Sequence, residues 1–420
     1  MKVGHFSDKI LKVPRALAIQ LLVFLGVVMY LYSRTPTVLV YELREKAGHG
    51  VKIEHAFWRR LGVETECTQF IIPGRGGVLL DDVQAYRSNL LITRTFSKED
   101  LEVQPVELNI NQSDVIVVQH IQKTGGTALE NRLVQNTNIK PPCVCKNITQ
   151  DKKRTVCSCL NAKGQVWTIN RHATGWACGV HADFTELTDC VDHWFRSQPN
   201  ENRKRRYHYV TVVRDPVTRF VSEWLHVRRG ATWKECRLHC DGRDASLAEV
   251  PYCFNHGTWA NVTFDEFLSC PSNMAFNRQT RMLANLSLSD CYRLESNKTR
   301  QERDEIMLKS AEDNLRRFFK FFFLVEYQEE AQELLERTFT GLKLNSPMIG
   351  KKFSSATSYA MLSEKHWEMI LEKNLLDVRL YQFAKDLFMQ RLRRLNIEAR
   401  PRTNEAIIVQ EGFTYATVTV

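Results

Sequence analysis

The stretch VIVVQHIQKTGGTALENRLVQN, Val115–Asn136, carries the strongest indication of fold in this sequence. It reads as a buried apolar strand over Asp114–Ile121, a loop with two glycines and one lysine, and then a helix. This order aims backbone N–H groups and the positive end of a helix dipole at one point, so it predicts an anion site, typically for phosphate. The competing interpretation is a tight structural turn between strand and helix.

The spacing within the loop HIQKTGGT, His120–Thr127, narrows the kind of anion site. Gly125 and Gly126 let the backbone approach a ligand, while Lys123 adds a mobile cation. The P-loop of nucleoside triphosphatases requires G-x4-G-K-[ST], in which lysine follows the glycines. Here lysine precedes them, so an ordinary triphosphatase loop is disfavoured. The backbone N–H groups, the helix dipole and the lysine can still bind an anion.

Two further apolar runs are each followed by a helical pattern. Tyr207–Val213 is rich in β-branched and aromatic residues, and Phe321–Val325 leads into an amphipathic helix from about Gln328. Three strand-to-helix units predict an α/β fold with a central parallel sheet flanked by helices. The apolar spacing of residues 366–394 predicts one or two packed helices near the C-terminus.

The N-terminus and the charge indicate the compartment. The chain has 420 residues and a net charge of +10, which favours nucleic acid, anionic membrane or a polyanionic glycan as partner. Residues 16–32 are almost wholly apolar and follow a basic flank, Lys2, Lys9, Lys12 and Arg15. This pattern predicts a signal anchor with the body in the lumen, and a cleaved signal peptide is the alternative.

Cysteines and glycosylation sequons agree with a lumenal body. Eleven of the twelve cysteines lie between Cys143 and Cys291, a density that predicts disulfides. The doublets CVC and CSC raise a zinc alternative, but their spacing differs from the C-x2-C knuckle, so zinc is disfavoured. Cys67 lies upstream of this cluster, and we expect it to form a disulfide between chains or to remain a free thiol. The sequons are at Asn111, Asn147, Asn261, Asn285 and Asn297.

These features divide the chain into five predicted segments. They are a cytoplasmic tail over 1–15, a signal-anchor helix over 16–33, a lumenal stem over 34–110, the main folded domain over 111–395 and a C-terminal tail over 396–420.

A second stretch, VVRDPVTRFVSEW, strengthens the prediction of an anion site. Arg214 closes a strand, Pro216 suits an early helix position after Asp215, and Ser222 lies further along the same helix. An arginine at a strand end offers a planar fork for phosphate, and a serine hydroxyl can add a donor. In the structural alternative, Arg214 pairs with Asp215 or caps a helix.

Together these stretches resemble the heparan sulfate 6-O-sulfotransferases. HIQKTGGT, TGWACGVHADFTELTDC, RDPVTRFVSEWLHVRRGATWK, NRQTRMLANLSL and AKDLFMQR are similar to that family's sequence in the same order, over roughly residues 120–391. The resemblance implies a P-loop-like sulfotransferase fold and transfer of a sulfuryl group from 3′-phosphoadenosine 5′-phosphosulfate to the 6-hydroxyl of glucosamine in heparan sulfate. It also implies a type II Golgi membrane protein that requires no metal and binds no nucleic acid.

By matching to the family's motifs, the resemblance assigns His181 as the catalytic base and Lys123 as the group that stabilises the leaving group. Donor-binding positions are His120, Ile121, Gln122, Lys123, Thr124, Gly125, Gly126, Thr127, Ala128, Arg214, Ser222, Ile349, Gly350, Lys351, Ser355 and Ala356. Acceptor-binding positions are Lys153, Arg154, Arg171, Trp176, His181, His226 and Trp233. The segments KNITQDKKRTVC and PMIGKKFSSATSYA depart from the family pattern.

Three other functions remain as alternatives. A carbohydrate sulfotransferase for another hydroxyl or another glycosaminoglycan would share the donor residues and differ at the acceptor residues. A noncatalytic heparin-binding membrane protein would not need His181 and Lys123. A nucleoside triphosphatase is disfavoured by the position of the loop lysine and by the predicted lumenal location.

Overall fold

A sheet of four parallel strands forms the centre of the protein. The computed structural model describes residues 85–87, 91, 93–147, 155–198, 204–254, 257–348 and 362–399. The strands lie in the order Thr168–Ile169 (β5), Asp114–Gln119 (β2), Arg206–Val213 (β6) and Phe321–Leu324 (β9). Both faces of β2 and β9 are buried, as expected for a parallel sheet covered by helices. The predicted parallel α/β sheet is confirmed, and β5 adds a strand that the sequence did not indicate.

Helices surround this sheet, and short strand pairs lie outside it. The helices are Lys98–Leu101 (α1), Gly126–Gln135 (α2), Phe184–Ser197 (α3), Pro216–Val227 (α4), Phe264–Ser269 (α5), Arg278–Leu283 (α6), Arg300–Asp313 (α7), Gln328–Thr338 (α8), Glu364–Lys373 (α9) and Leu375–Arg394 (α10). The remaining strands are Val106–Glu107 (β1), Val144–Asn147 (β3), Thr155–Ser158 (β4), His239–Cys240 (β7), Arg243–Asp244 (β8) and Phe339–Thr340 (β10).

The three predicted strand-to-helix units are β2–α2, β6–α4 and β9–α8. Because the strands are parallel, their carboxyl ends meet at one edge of the sheet, where ligands bind in open α/β folds. The loops that follow β2, β5 and β6 therefore converge at this edge. At the start of α4, the Asp215 carboxylate accepts a hydrogen bond from Thr218 N at 2.8 Å, and Pro216 occupies the first turn. The prediction for Pro216 is confirmed.

The two C-terminal helices brace this edge. The helical pattern predicted over residues 366–394 forms α9 and α10, which are separated at Asn374. The buried Asp377 carboxylate on α10 accepts hydrogen bonds from Gln279 N at 3.1 Å and from Thr280 N and Oγ1, both at 2.8 Å. It thereby satisfies the N–H groups at the start of α6, which otherwise have no partner within the helix.

The predicted disulfides are confirmed in the part of the chain that the structure describes. The CVC and CSC cysteines pair with each other across the β3–β4 hairpin, so they are not free to bind zinc. Cys178–Cys190 ties the turn before α3 to that helix. Cys236 is a free thiol, whereas Cys67 lies outside the described residues. The other pairs are Cys240–Cys291 and Cys253–Cys270.

Part of the predicted stem packs against the body. β1 pairs with β10 in parallel, Val106 opposite Phe339, and the Arg391 guanidinium donates to the Asp100 carbonyl at 2.9 Å. Among the described residues no helix is both long and apolar enough for a membrane span. The predicted anchor over 16–33, the tail over 1–15 and residues 400–420 lie outside the described residues.

Candidate active site

The loop between β2 and α2 is shaped by close packing around its two glycines. Gly125 has φ of 99° and precedes α2. A Cβ atom on Gly125 would lie 2.8 Å from Val325 Cγ2, and one on Gly126 would lie 2.8 Å from His120 Cδ2. Neither position has room for a side chain without movement of a neighbour. The chain therefore enters α2 tightly and presents the N–H groups of Gly126 and Thr127 at the carboxyl edge of the sheet. They precede the first helical hydrogen bond, from Ala128 N to the Gly125 carbonyl at 2.9 Å.

Not every predicted residue of this loop can offer its side chain to a ligand. Ile121, Gln122 and Thr124 are buried, and the Thr124 hydroxyl donates to the Ile121 carbonyl at 3.1 Å. These residues can contribute only their backbone. Thr127 and Ala128 lie in the first turn of α2, where Thr127 is half-buried and Ala128 is exposed.

Arg214 connects the end of β6 to this loop. Its Nη1 donates to the Lys123 carbonyl at 3.0 Å, and its Nε donates to Thr218 Oγ1 at 3.0 Å. The Gln279 side chain binds both backbone groups of Arg214, accepting from its N–H and donating to its carbonyl, each at 2.8 Å. These hydrogen bonds hold the strand end and the loop in one arrangement.

Positive charges are crowded around Lys123. Burial lowers the pKa of Lys123, the cations of Arg229 and Arg214 lower it further, and Glu223 opposes them. Glu223 is itself held in a buried network by Arg219 and Arg278. Burial raises the pKa of Glu223, but the Arg278 and Arg219 cations outweigh this effect and lower it to about 2. An anion bound here would relieve the repulsion among these cations, so the residues fit a phosphate-bearing ligand. Ser222 lies half-buried on α4, the helix that Arg214 precedes.

His181 lies within hydrogen-bonding distance of the start of the loop. Its Nδ1 is 3.0 Å from the His120 carbonyl oxygen. A carbonyl only accepts, so this contact assigns the proton to Nδ1 and leaves the lone pair on Nε2. Burial, followed by the neighbouring His120, lowers the pKa of His181 well below its ordinary 6.5. The neutral imidazole is therefore prepared to accept a proton at Nε2.

Five aromatic rings bring together residues from four segments of the chain. The ring centroids of Trp176 and His181 are 4.6 Å apart, and His120 lies 4.9 Å from His181. Trp233 lies 5.2 Å from His181 and 5.1 Å from His226. One contiguous cluster thus contains the predicted base, the first residue of the donor loop and three predicted acceptor positions, Trp176, His226 and Trp233.

Glu130 on α2 is a site residue that the sequence prediction missed. Its buried carboxylate lies 2.9 Å from His120 Nδ1, accepts from Arg171 N at 3.2 Å and lies 3.4 Å from Arg171 Nε. It therefore links an acceptor residue to the donor loop. The signal in the sequence is its position on the apolar face of α2, three residues before Leu133 and four before Val134.

We expect Glu130→Gln to lower kcat/KM for the acceptor about tenfold. Glutamine removes the negative charge beside Arg171, and its NH2 cannot accept from Arg171 Nε, which then keeps, among the described residues, only its contact with His172 Nε2 at 3.4 Å; a hydrogen bond to a charged group is worth about 1.5–3 kcal/mol. His120 can change tautomer to meet the amide, but Arg171 cannot. Steady-state kinetics with varied acceptor test this, with the exposed Glu329→Gln as control. Lowered thermal stability with unchanged kinetics would reduce Glu130 to a structural role.

Two groups of predicted site residues cannot be placed. The acceptor positions Lys153 and Arg154 lie outside the described residues. The same holds for the donor positions Ile349, Gly350, Lys351, Ser355 and Ala356.

Comparison with known proteins finds one consistent group of relatives. Residues 106–384 match the sulfotransferase family. The chain is 45% identical over 297 residues to heparan-sulfate 6-O-sulfotransferase 3-B of Danio rerio, an alignment that covers 70% of this chain and 68% of that protein. It is 44% identical over 300 residues to heparan-sulfate 6-O-sulfotransferase 3 of Homo sapiens, which covers 70% and 62%. It is 42% identical over 299 residues to heparan-sulfate 6-O-sulfotransferase 2 of Gallus gallus, which covers 70% and 72%.

Proposed function

Since the chain belongs to the sulfotransferase family, with heparan-sulfate 6-O-sulfotransferases among its relatives, we propose that it sulfates the 6-hydroxyl of glucosamine in heparan sulfate. The sulfuryl donor is 3′-phosphoadenosine 5′-phosphosulfate. The observation that carries this proposal is the placement of His181: it has a free Nε2, lies one hydrogen bond from the anion-binding loop and packs against two tryptophans.

The reaction exchanges one sulfur–oxygen bond for another. Oxygen O6 of the sugar forms a bond to the sulfur, and the bond between sulfur and the 5′-phosphate oxygen of the donor breaks. His181 Nε2 accepts the proton of the O6 hydroxyl, which is a poor nucleophile while protonated. The second product is adenosine 3′,5′-bisphosphate. Lys123 and the N–H groups at the start of α2 stabilise the negative charge that grows on its departing oxygen.

The donor is held by two sets of groups at the carboxyl edge of the sheet. We assign the loop from His120 to Ala128 to the 5′-phosphosulfate, and Arg214 with Ser222 to the 3′-phosphate. The cation crowding at Lys123 and the tight Gly125–Gly126 turn support the first assignment. The Arg214 guanidinium, fixed next to the loop, supports the second. Residues 349–351 and 355–356 complete this proposed donor site.

The acceptor would lie along the aromatic cluster. Arg171 offers a cation for a sulfate or carboxylate, and Trp176 and Trp233 offer flat apolar faces for sugar rings. His226, whose ring packs on Trp233, completes this wall, and Lys153 and Arg154 are proposed to add cations. Heparan sulfate carries many negative charges, which agrees with the net charge of +10 of the chain.

Product analysis tests the position of transfer. The purified body is incubated with heparan sulfate and donor labelled in the sulfuryl group, and the product is cut to disaccharides. Label on glucosamine O6 supports the proposal. Label on the uronic acid would instead favour a sulfotransferase for another hydroxyl, and binding of heparan sulfate without any transfer would favour a noncatalytic heparin-binding protein.

The pH profile of kcat/KM should report the protonation of His181 in the free enzyme. Because its pKa lies well below 6.5, we expect a level profile from pH 8 to about 6.5 and a loss of activity only at lower pH. Burial, followed by the Lys123 and Arg229 cations, lowers the pKa of His226 to about 4, so His226 stays neutral from pH 8 to 6.5. A loss that begins above pH 7 would contradict this assignment of the base.

We propose a Golgi location with the body in the lumen, anchored by residues 16–33. The disulfides of the described residues and the five sequons support an oxidising compartment on the secretory route. Protease protection in sealed Golgi vesicles tests the orientation, since a lumenal body resists digestion until detergent is added.

A further inference from the structure

A cavity of about 380 Å³ is lined by residues of α4, the start of α6, the stretch 232–254 and Trp259. We call it the Trp233 cavity, because the indole of Trp233 forms part of its wall. The volume falls in the range of ordinary ligand sites, about 300–1,000 Å³. None of the donor positions that the structure describes lines it, and of the described acceptor positions only Trp233 does.

The walls of the Trp233 cavity are held in place by strong contacts. Glu223 and Arg278 line it and form a buried ion pair at 2.5 Å. Cys253, which also lines it, is bonded to Cys270. The Trp233 Nε1–H is buried and has no hydrogen-bond partner among the described residues. The ion pair and the disulfide therefore fix two parts of the cavity wall.

The chemistry of the cavity suits an anionic sugar. Tyr252, Phe254 and Trp259 form a stacked row with centroid separations of 5.6 and 5.8 Å. Flat rings of this kind pack against the apolar faces of sugar rings. Lys234 Nζ lies 5.4 Å from the Tyr252 ring and 5.1 Å from the Phe254 ring, so its cation stands beside the row. A sulfate or carboxylate on the sugar would meet this ammonium group.

The cavity is continuous with the proposed acceptor wall through one side chain. The same Trp233 ring that lines it packs against His181 and His226. We propose that the Trp233 cavity is a second acceptor subsite, which binds a sulfated or carboxylated sugar of the heparan sulfate chain at a distance from the glucosamine that reacts. This inference rests on the proposed function and extends its substrate recognition to Lys234, Tyr252 and Phe254.

Acceptor length provides the test. Kinetics are measured with N-sulfated heparan oligosaccharides of four and of twelve sugars, for the unmodified protein and for Lys234→Ala and Tyr252→Ala. We expect each variant to raise KM for the longer oligosaccharide about threefold to tenfold, with kcat and the KM for the tetrasaccharide unchanged. Calorimetry should show the same loss of affinity for the longer oligosaccharide. Lys309→Ala, at an exposed lysine on α7, is the control for general loss of positive charge.

The outcomes separate this inference from the proposed function. Equal changes in KM for both lengths, or no change for the longer one, would overturn the subsite. Lack of sulfuryl transfer by the unmodified protein to either length would instead overturn the proposed function itself.

Discussion

Replacement of His181 by alanine is expected to lower kcat about a hundredfold to ten-thousandfold, the usual contribution of a positioned general base. The affinity for adenosine 3′,5′-bisphosphate should change little, because the described contacts of His181 with the donor loop are all with His120, at its carbonyl and its ring, on the side of the loop where the acceptor is proposed to bind. The measurement is steady-state transfer to heparan sulfate together with calorimetric titration of the bisphosphate. A variant that keeps full activity would exclude His181 as the base.

The chain offers a matched control for this substitution. His193 is exposed on α3, the helix whose start follows His181, and it is not one of the positions assigned to the proposed site. We expect His193→Ala to keep normal kcat and KM. The pH profile separates loss of a base from loss of structure: the residual activity of His181→Ala should lack the fall below pH 6.5 that we expect for the unmodified enzyme.

The donor side of this site follows from local sequence, because its residues are placed by strand ends. A buried apolar run predicts a parallel strand, and the residues just after it must lie at the carboxyl edge. Lys123 and Arg214 could be placed together in this way, and the structure joins them by a hydrogen bond of 3.0 Å. The strand β5 escaped prediction because only Thr168 and Ile169 pair with β2, too short a run for any periodicity.

The acceptor side depends on contacts between distant segments, which periodicity does not report. Trp233 and His181 are 52 positions apart in the chain, and their ring contact arises from the packing of irregular segments. Glu130 shows the same limit: its place on an apolar helix face was visible, but its partners His120 and Arg171 were not. The family resemblance predicted Trp176, His181 and Trp233 as site residues, whereas only the three-dimensional structure reveals the Trp233 cavity.

Removal of the Lys123 side chain is expected to lower kcat about a hundredfold to a thousandfold, with a smaller rise in KM for the donor. The ammonium group would act on charge that develops on the departing oxygen, so its contribution should be larger in the transition state than in the bound donor. Lys123→Ala is a clean test of this role. The backbone carbonyl of residue 123 still accepts from Arg214. Residue 123 has a φ of 67°, and because lysine and alanine both carry a Cβ, the backbone strain there is the same for both; the loop should therefore keep its shape.

Lys123→Arg distinguishes a positioned charge from positive charge in general. Arginine keeps the charge but replaces a compact ammonium by a planar fork, which does not fit among the cations of Arg214 and Arg229 in the same way. We therefore expect only partial activity from Lys123→Arg and normal activity from Lys163→Ala, an exposed lysine in another turn. If Lys123→Ala raises KM for the donor and leaves kcat unchanged, Lys123 contributes uniform binding and another group must stabilise the leaving oxygen.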